Sequence, residues 1–562
     1  PIIINIFYYF PGMLALFLSA FLSLFLFLVF GSLVTRVGLL RAGLAEKLLL
    51  GLACVNTLST IASLFVAVTG CLLLALCVCA LVAAFFIRDD LWETFRSVKK
   101  RWHVLLFTLP FVALCTMIAL NAPYIYDSAL YHIPSIKWIE AYPAVPGLAN
   151  LQGRFGFDPN IFTFFALSSL KGLFGQDIYV VNFLVFSILT GHFITVIYNL
   201  FKQKGISGRL AFYVILFVTM LTLGNDISSP APDFLSIVIP LFILSRVIGI
   251  SEIKRKPVFS DFIPVIILSA YILTTKLATV PLLLLPVLLF FRYKPGARQI
   301  FLIVASCAII VIPWLARNVI LTGWLVYPFP SLNLFSFNWQ VPLAKVIAEK
   351  ENVTGWARIP GPMFARAAHM SFLQWVPIWW RELFLSDKLY FGASVGCPLL
   401  VFVWQLISGR KLSFVLNTAL VTALAGVIFW FVLAPDFRFG LAFITIAAMS
   451  PLLSFNLYVK LRIKPAISFA PLVVALLIVQ YNGAEYFIQH AEKRVSKLLI
   501  RPELLSVPAN VKFITYPIGG ITIYAPKPGE RCFCHAIPCA SRIDTAIRLR
   551  GHSLAEGFLP GK

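Results

Sequence analysis

About fourteen long apolar runs punctuate the chain, and they leave few folds open to it. They occupy approximately residues 9–31, 48–66, 69–87, 104–120, 178–200, 210–224, 234–249, 260–275, 279–291, 300–316, 396–408, 412–434, 441–458 and 466–480. Within a bilayer the backbone has no water to bond, so only helices and closed barrels can span it. Barrel strands alternate apolar and polar residues over about ten positions, whereas these runs are longer and uniformly apolar. The expected fold is therefore an all-α polytopic bundle of about 14 transmembrane helices. Composition agrees: 60% of residues are hydrophobic and 12% charged, and mean hydropathy is +0.91. A soluble domain has about 45–50% and about 25%, respectively. Several runs fall short of the roughly 17–25 residues that a straight span needs, which predicts tilted or broken helices. The first run has neither a basic leader nor a small-residue cleavage site and reads as a retained span.

The net charge of +23 comes from 46 Lys and Arg against 23 Asp and Glu. In a soluble protein such an excess would suggest nucleic acid; here its distribution gives another reason. The basic residues of the short connectors, from Arg36, Arg41 and Lys47 through Arg88, Arg96, Lys99, Lys100 and Arg101 to Lys254, Arg255 and Lys256 and on to Lys460, Arg462 and Lys464, fall on one face when the runs are counted as above. By the positive-inside rule that face is cytoplasmic, and no nucleic-acid partner is needed. The same count requires the apolar stretch 161–174 not to cross. It reads as an amphipathic helix in the outer interface.

The opposite, outer face then receives loops over about 121–177, 225–233 and 317–395, and a tail from about 481 to the end. The third loop carries Trp324, Tyr327, Trp339, Trp356, Trp375, Trp379 and Trp380, rings that favour the headgroup layer. In the tail, "VKFITYPIGGITIYAPKPGE" predicts a hairpin turning at Pro-Ile-Gly-Gly, hence a small β-containing appendage. Seven cysteines lie in or beside apolar runs as small hydrophobes. Cys532, Cys534 and Cys539, with His535, could be written as a metal set, but an extracytoplasmic compartment is oxidising. The expected pair is a Cys532–Cys539 disulfide, with Cys534 left over.

Chemistry-bearing residues concentrate on this outer face. Asp127 lies a few residues beyond a span, and a carboxylate at the mouth of a bundle is a candidate general base. It could equally cap a helix beginning at Ser128. His132, Lys137 and Glu140 follow it as candidate substrate contacts. Asp226 and Asp233, in "NDISSPAPDF", could approach Asp127 and hold a divalent cation (Mg²⁺ or Mn²⁺) or a sugar-like ligand; they could also be turn formers. Lys276, Arg317 and Arg438 run against the positive-inside bias. Each is a candidate for binding phosphate, with snorkelling to headgroups as the alternative. The sequence has no phosphate-binding GxxxxGKS/T loop and no HExxH zinc motif. The interruption at Lys276 to Thr279 between two short runs is like the broken helices of transporters.

Taken together, these residues resemble the GT-C superfamily of polytopic glycosyltransferases, which includes protein mannosyltransferases and the aminoarabinose transferase of lipid A. "YIYDSALYHIPSIKWI" is similar to the acidic position of the first outer loop, and "DPNIFTFFALSSLKGLFGQDIYVVNFL" to the interfacial helix and following span. "PWLARNVILTGWLVYP" is similar to a stretch of bacterial members. The tail "CFCHAIPCASRIDTAIRLRGHSLAEGF" resembles that of uncharacterised membrane proteins of spirochaete and Bacteroidetes type. The resemblance covers roughly residues 104–562, so residues 1–103 read as accessory helices that could dock a membrane protein partner, 104–480 as the GT-C-like module and 481–562 as a periplasmic tail. It departs from the family in lacking an adjacent acidic pair, since Asp127 is followed by Ser128. The resemblance implies an enzyme of the bacterial inner membrane that takes a sugar from a polyprenyl-phosphate donor. Asp127 would act on the acceptor hydroxyl, Lys276 and Arg317 would hold the departing phosphate, and the spans would hold the prenyl chain. Competing expectations are a transporter or flippase for a lipid-linked sugar and a non-catalytic membrane subunit.

Overall fold

The computed structural model describes residues 11–202, 205–252, 255–455, 458–460, 469–481, 505–518 and 520–561. The chain is mostly helical, and every expected apolar run falls on a helix. Among the described residues nine helices are long and apolar enough to cross a membrane, or ten if one bent pair counts as a single span. The protein is thus a multi-pass membrane protein, with fewer full-length spans than the expected fourteen. The difference lies in helices of one short class: Gly208–Thr222, Ile263–Thr275, Leu277–Tyr293 and Phe469–Tyr481 are apolar but short. At about 1.5 Å per residue, the 13 residues of Ile263–Thr275 rise only about 20 Å, against about 30 Å of hydrocarbon.

The centre of the bundle is Pro232–Ile250, almost every residue of which is buried. The long helices Ala297–Thr322 and Leu385–Ser408 lie at the periphery with mostly outward-facing residues. Near the start of the chain, Pro11–Val37 packs tightly on Leu44–Ser63. A Cβ at Gly51 would lie 1.9 Å from the Phe27 carbonyl oxygen, so only glycine allows this approach of two backbones. Without water between helices, such close packing is the main source of association within a bilayer.

Two expectations about the outer loops change. Of the stretch 161–174, expected to lie in the outer interface, Lys171, Gly172 and Leu173 are exposed, while Ile161–Leu167 is buried at every residue. The early helices cover it: Ser59 Oγ donates to the Thr163 carbonyl and Ser19 Oγ to the Ser168 carbonyl. The aromatic loop turns many of its rings onto protein. Trp375 and Trp379 are buried against Phe431, and Trp379 Nε1 donates to the Pro435 carbonyl at 3.0 Å. The tail forms the expected hairpin, Lys512–Ile518 antiparallel to Ile521–Lys527, and Cys532 is disulfide-bonded to Cys539 while Cys534 is free. Residues 482–504 of the expected tail, and the basic residues Lys204, Lys254, Arg462 and Lys464, lie outside the described residues.

Candidate functional site

The segment after Trp102–Ala119, the start of Pro232–Ile250, the residue after Ile263–Thr275 and the start of Phe437–Ala448 come together, joined by ion pairs among Asp127, Asp233, Lys276 and Arg438. They surround a cavity of about 280 Å³ with mainly apolar walls and a charged floor.

Local structure fixes each side chain. The Asp127 segment is tied to the second outer loop, since Ser229 Oγ accepts from the backbone N–H groups of Tyr124 (2.9 Å) and Ile125 (3.1 Å). That loop is tied in turn to Val181–Phe201, where the Asn182 amide donates to the carbonyls of Asp226, Ser229 and Ala231. Asp127 itself makes no capping bond to the turn that follows, so the capping alternative does not describe it. Asp436 caps Phe437–Ala448 by accepting from the Arg438 N–H (3.1 Å), and it accepts from Arg438 Nε as well (2.9 Å). Gly440 lets Trp430 lie flat on this turn: a Cβ there would sit 2.5 Å from the indole ring.

The floor is a chain of alternating charges. Arg154 Nη1 donates to Asp127 Oδ1 at 3.1 Å, and its Nε lies 3.8 Å from Glu349 Oε1. Arg438 Nη1 sits between Asp127 Oδ2 (3.5 Å) and Asp233 Oδ2 (3.6 Å). Lys276 Nζ pairs with Asp233 and lies over the Phe439 ring, 4.0 Å from its centroid. Lys350 also lines the cavity and, among the described residues, has no carboxylate partner. Burial raises the Glu349 carboxyl above its ordinary range, with Arg154 opposing. Burial likewise raises the Tyr131 hydroxyl, and Asp127 adds to the effect.

Of the residues singled out from sequence, Asp127, Asp233, Lys276 and Arg438 line this cavity together. Asp226 stands nearby, its carboxyl pushed up to about 6 by burial while Arg438 and Lys276 pull it down. His132 does not line the cavity. It is buried against Tyr131 and Phe162, and burial lowers its pKa to about 3, so the ring is neutral. Lys137 donates to the Cys534 and His535 carbonyls, latching the tail onto the first loop, where the Phe533 N–H also reaches the Ala129 carbonyl two residues from Asp127. Glu140 pairs with Lys171 at 2.9 Å. Arg317 is buried inside Ala297–Thr322 and bonds Asp158 (2.8 Å) and Ser63 Oγ (3.1 Å), so its charge is already neutralised away from the cavity.

Arg154, Glu349, Lys350 and Asp436 were not singled out from sequence. A usable signal existed for Arg154: it is a cation in a loop that the charge count sets opposite the basic connectors, the same signal that marked Lys276 and Arg438. Glu349 and Lys350 sit on Leu343–Arg358, a helix whose mixed composition gives no sequence hint of where it folds. Among the described residues, no three His, Cys, Asp or Glu side chains converge as a metal set. Asp127 and Asp233, two of the three carboxylates that the sequence offered for a divalent cation or a sugar-like ligand, have the guanidinium of Arg438 between them.

A family model described as a domain of unknown function (DUF8201) matches residues 13–445. No curated protein and no solved structure matches this chain. The matched segment takes in the first helices and every charged residue of the cavity named above, and it stops before the tail.

Proposed function

We propose, from the premise that this chain belongs to the DUF8201 family, that it is a glycosyltransferase of the GT-C type moving a sugar from a polyprenyl-phosphate donor to an extracytoplasmic acceptor. The observation that carries this reading is the pairing, in one largely apolar cavity, of a carboxylate with a row of fixed cations. Such walls suit the prenyl end of an amphiphilic donor, and such a floor suits its phosphate. In the transfer, the acceptor oxygen bonds the anomeric carbon, the bond from that carbon to the phosphate oxygen breaks, and the acceptor proton passes to Asp127. The leaving phosphate gains negative charge, which preorganised cations in a poorly hydrated site stabilise strongly. Arg154, Arg438 and the uncommitted Lys350 take this role along with Lys276; Arg317, already paired with Asp158, is no longer assigned to it. The first loop and the helix Leu343–Arg358 close over the polar part of the donor.

Sidedness follows the charge. Arg36, Arg209, Arg246 and Arg255 lie apart from the cavity, paired with Asp90, Glu252, Glu46 and Asp261. The positive-inside rule makes that end cytoplasmic and the cavity extracytoplasmic, in agreement with a bacterial inner-membrane enzyme whose tail is periplasmic. The break at Lys276 favours a second reading, a flippase for a lipid-linked sugar.

The test uses the full chain in lipid nanodiscs with a labelled polyprenyl-phosphate sugar. Asp127→Asn is expected to lower transfer by roughly 100-fold or more, the usual contribution of a general base, while donor binding persists. Transfer at the wild-type rate would remove Asp127 from the chemistry. Movement of donor between leaflets without any transfer would favour the flippase.

A further inference from the structure

The helix Gly70–Phe86 is followed after one residue by Arg88–Lys100, and the two are bent 88° to each other. When the first runs across the bilayer, the second lies along its surface. It is held there by protein: Arg36 Nη1 donates to Asp90 (2.9 Å) and to the Phe86 carbonyl (3.1 Å), and Lys47 Nζ reaches Thr94 Oγ1 (3.3 Å). No residue of this helix is buried.

Helical spacing divides its surface into strips. Asp90 and Thr94 face the protein. Turned away from them is a strip of Arg88, Trp92, Phe95 and Lys99, at i, i+4, i+7 and i+11, with two exposed rings at its centre and a cation at each end. Trp92 and Phe95 are 54% and 55% exposed and stack on each other at 5.5 Å, and the Arg96 guanidinium lies 5.3 Å from the Trp92 ring. Glu93 and Ser97 lie on the far side of the strip. Lys100 and Arg101 extend the charge to Trp102, which is 61% exposed. Among the described residues none of Arg88, Arg96, Lys99, Lys100 and Arg101 has a carboxylate partner.

We infer that Arg88–Lys100 is a membrane-surface helix whose Trp92–Phe95 pair enters the headgroup layer and whose cations bind the phosphate groups of anionic lipids. Aromatic rings prefer the boundary between water and hydrocarbon, and each cation near an anionic surface contributes attraction. The helix matches that boundary: the rings of the strip point toward lipid with Arg88 and Lys99 beside them, and the adjoining flank, where Arg96 and Lys100 alternate with Asp89 and Glu93, borders the headgroups and water. This inference is independent of the proposed glycosyl transfer.

Hydrogen–deuterium exchange of the full-length protein in nanodiscs tests it. Backbone amides over 88–101 are expected to exchange about 5-fold or more slowly in nanodiscs containing roughly one third phosphatidylglycerol than in phosphatidylcholine alone. The triple substitution R96Q/K99Q/K100Q is expected to abolish that difference. Equal exchange of the wild-type protein in both lipids would overturn the inference even if the variant failed to fold. So would equal slowing by inorganic phosphate added to phosphatidylcholine nanodiscs, which would show a soluble anion site, and so would protection that appears only when membrane proteins are added.

Discussion

At the scale of single residues, environment separates groups that the sequence presents as equals. Asp127, Asp226 and Asp233 are three carboxylates on one face, yet Asp127 and Asp233 are held by Arg438 and Asp226 is set apart among apolar neighbours that disfavour its charge. Its carboxyl, raised to about 6, prefers the neutral form in the folded protein more than in the unfolded chain. The stability it contributes is therefore complete below the ordinary carboxylate range, near about pH 4, and is lost as pH rises through about 6. Asp226→Asn removes the titration. The variant is expected to melt at a higher temperature than wild type at pH 8 and with no such advantage at pH 4. Melting curves at the two values check this, and an advantage equal at both would show that the gain does not come from ionisation. The cations teach the same lesson. Lys276, Arg317 and Arg438 look alike in a hydropathy plot, and only folding shows that Arg317 is spent on Asp158 while the other two reach the cavity. Sequence marks an unusual charge; it does not tell which carboxylate from a distant segment will meet it.

At the scale of elements, hydropathy marked the part of each helix that needs lipid and missed the part that does not. The run read as 300–316 belongs to Ala297–Thr322, and the run 396–408 to Leu385–Ser408, each helix continuing past its apolar run. That extension is what puts Arg317 inside a helix instead of in a loop. Its partner Asp158 belongs to the first loop, where Pro159 lines the cavity and Asn160 joins Thr60 and Thr274 in a buried polar cluster. The pair thus fastens the loop that bears the site to a helix and, through Ser63, to the early helices. Breaking a buried pair by removing one partner leaves an uncompensated charge and costs about 3–5 kcal/mol. Arg317→Leu is expected to destabilise by that order, and adding Asp158→Asn should recover much of it by removing the stranded charge. A double-mutant cycle on melting temperature reads the coupling. Additive losses would mean that the two side chains do not depend on each other. The early helices, which sequence alone assigned to an accessory part, are in this way part of the support for the first loop.

At the scale of the whole molecule, one asymmetry organises the rest. The charged segments around Asp127, Asp233, Lys276 and Arg438 meet at one place, while the chain as a whole carries a net charge of +23. Arg154, Lys276, Lys350 and Arg438 line the cavity against Asp127 and Asp233, and Glu349 and Asp436 pair with Arg154 and Arg438 from outside the lining. This topology predicts sidedness without any knowledge of the reaction. Lys350 at the cavity and Lys256 in a connector at the opposite end are both exposed, and so both are open to an amine reagent. A membrane-impermeant reagent applied from the extracytoplasmic side of sealed membranes is expected to modify Lys350 and to spare Lys256 until the membrane is opened. Mass spectrometry of the two peptides measures it directly. Simultaneous labelling of both in sealed membranes would mean that one of the two short helices between these lysines, Ile263–Thr275 or Leu277–Tyr293, fails to cross, since each such failure reverses every connector after it. That result would place the cavity and the basic connectors in the same compartment, and an extracytoplasmic transferase would then have no route to its acceptor.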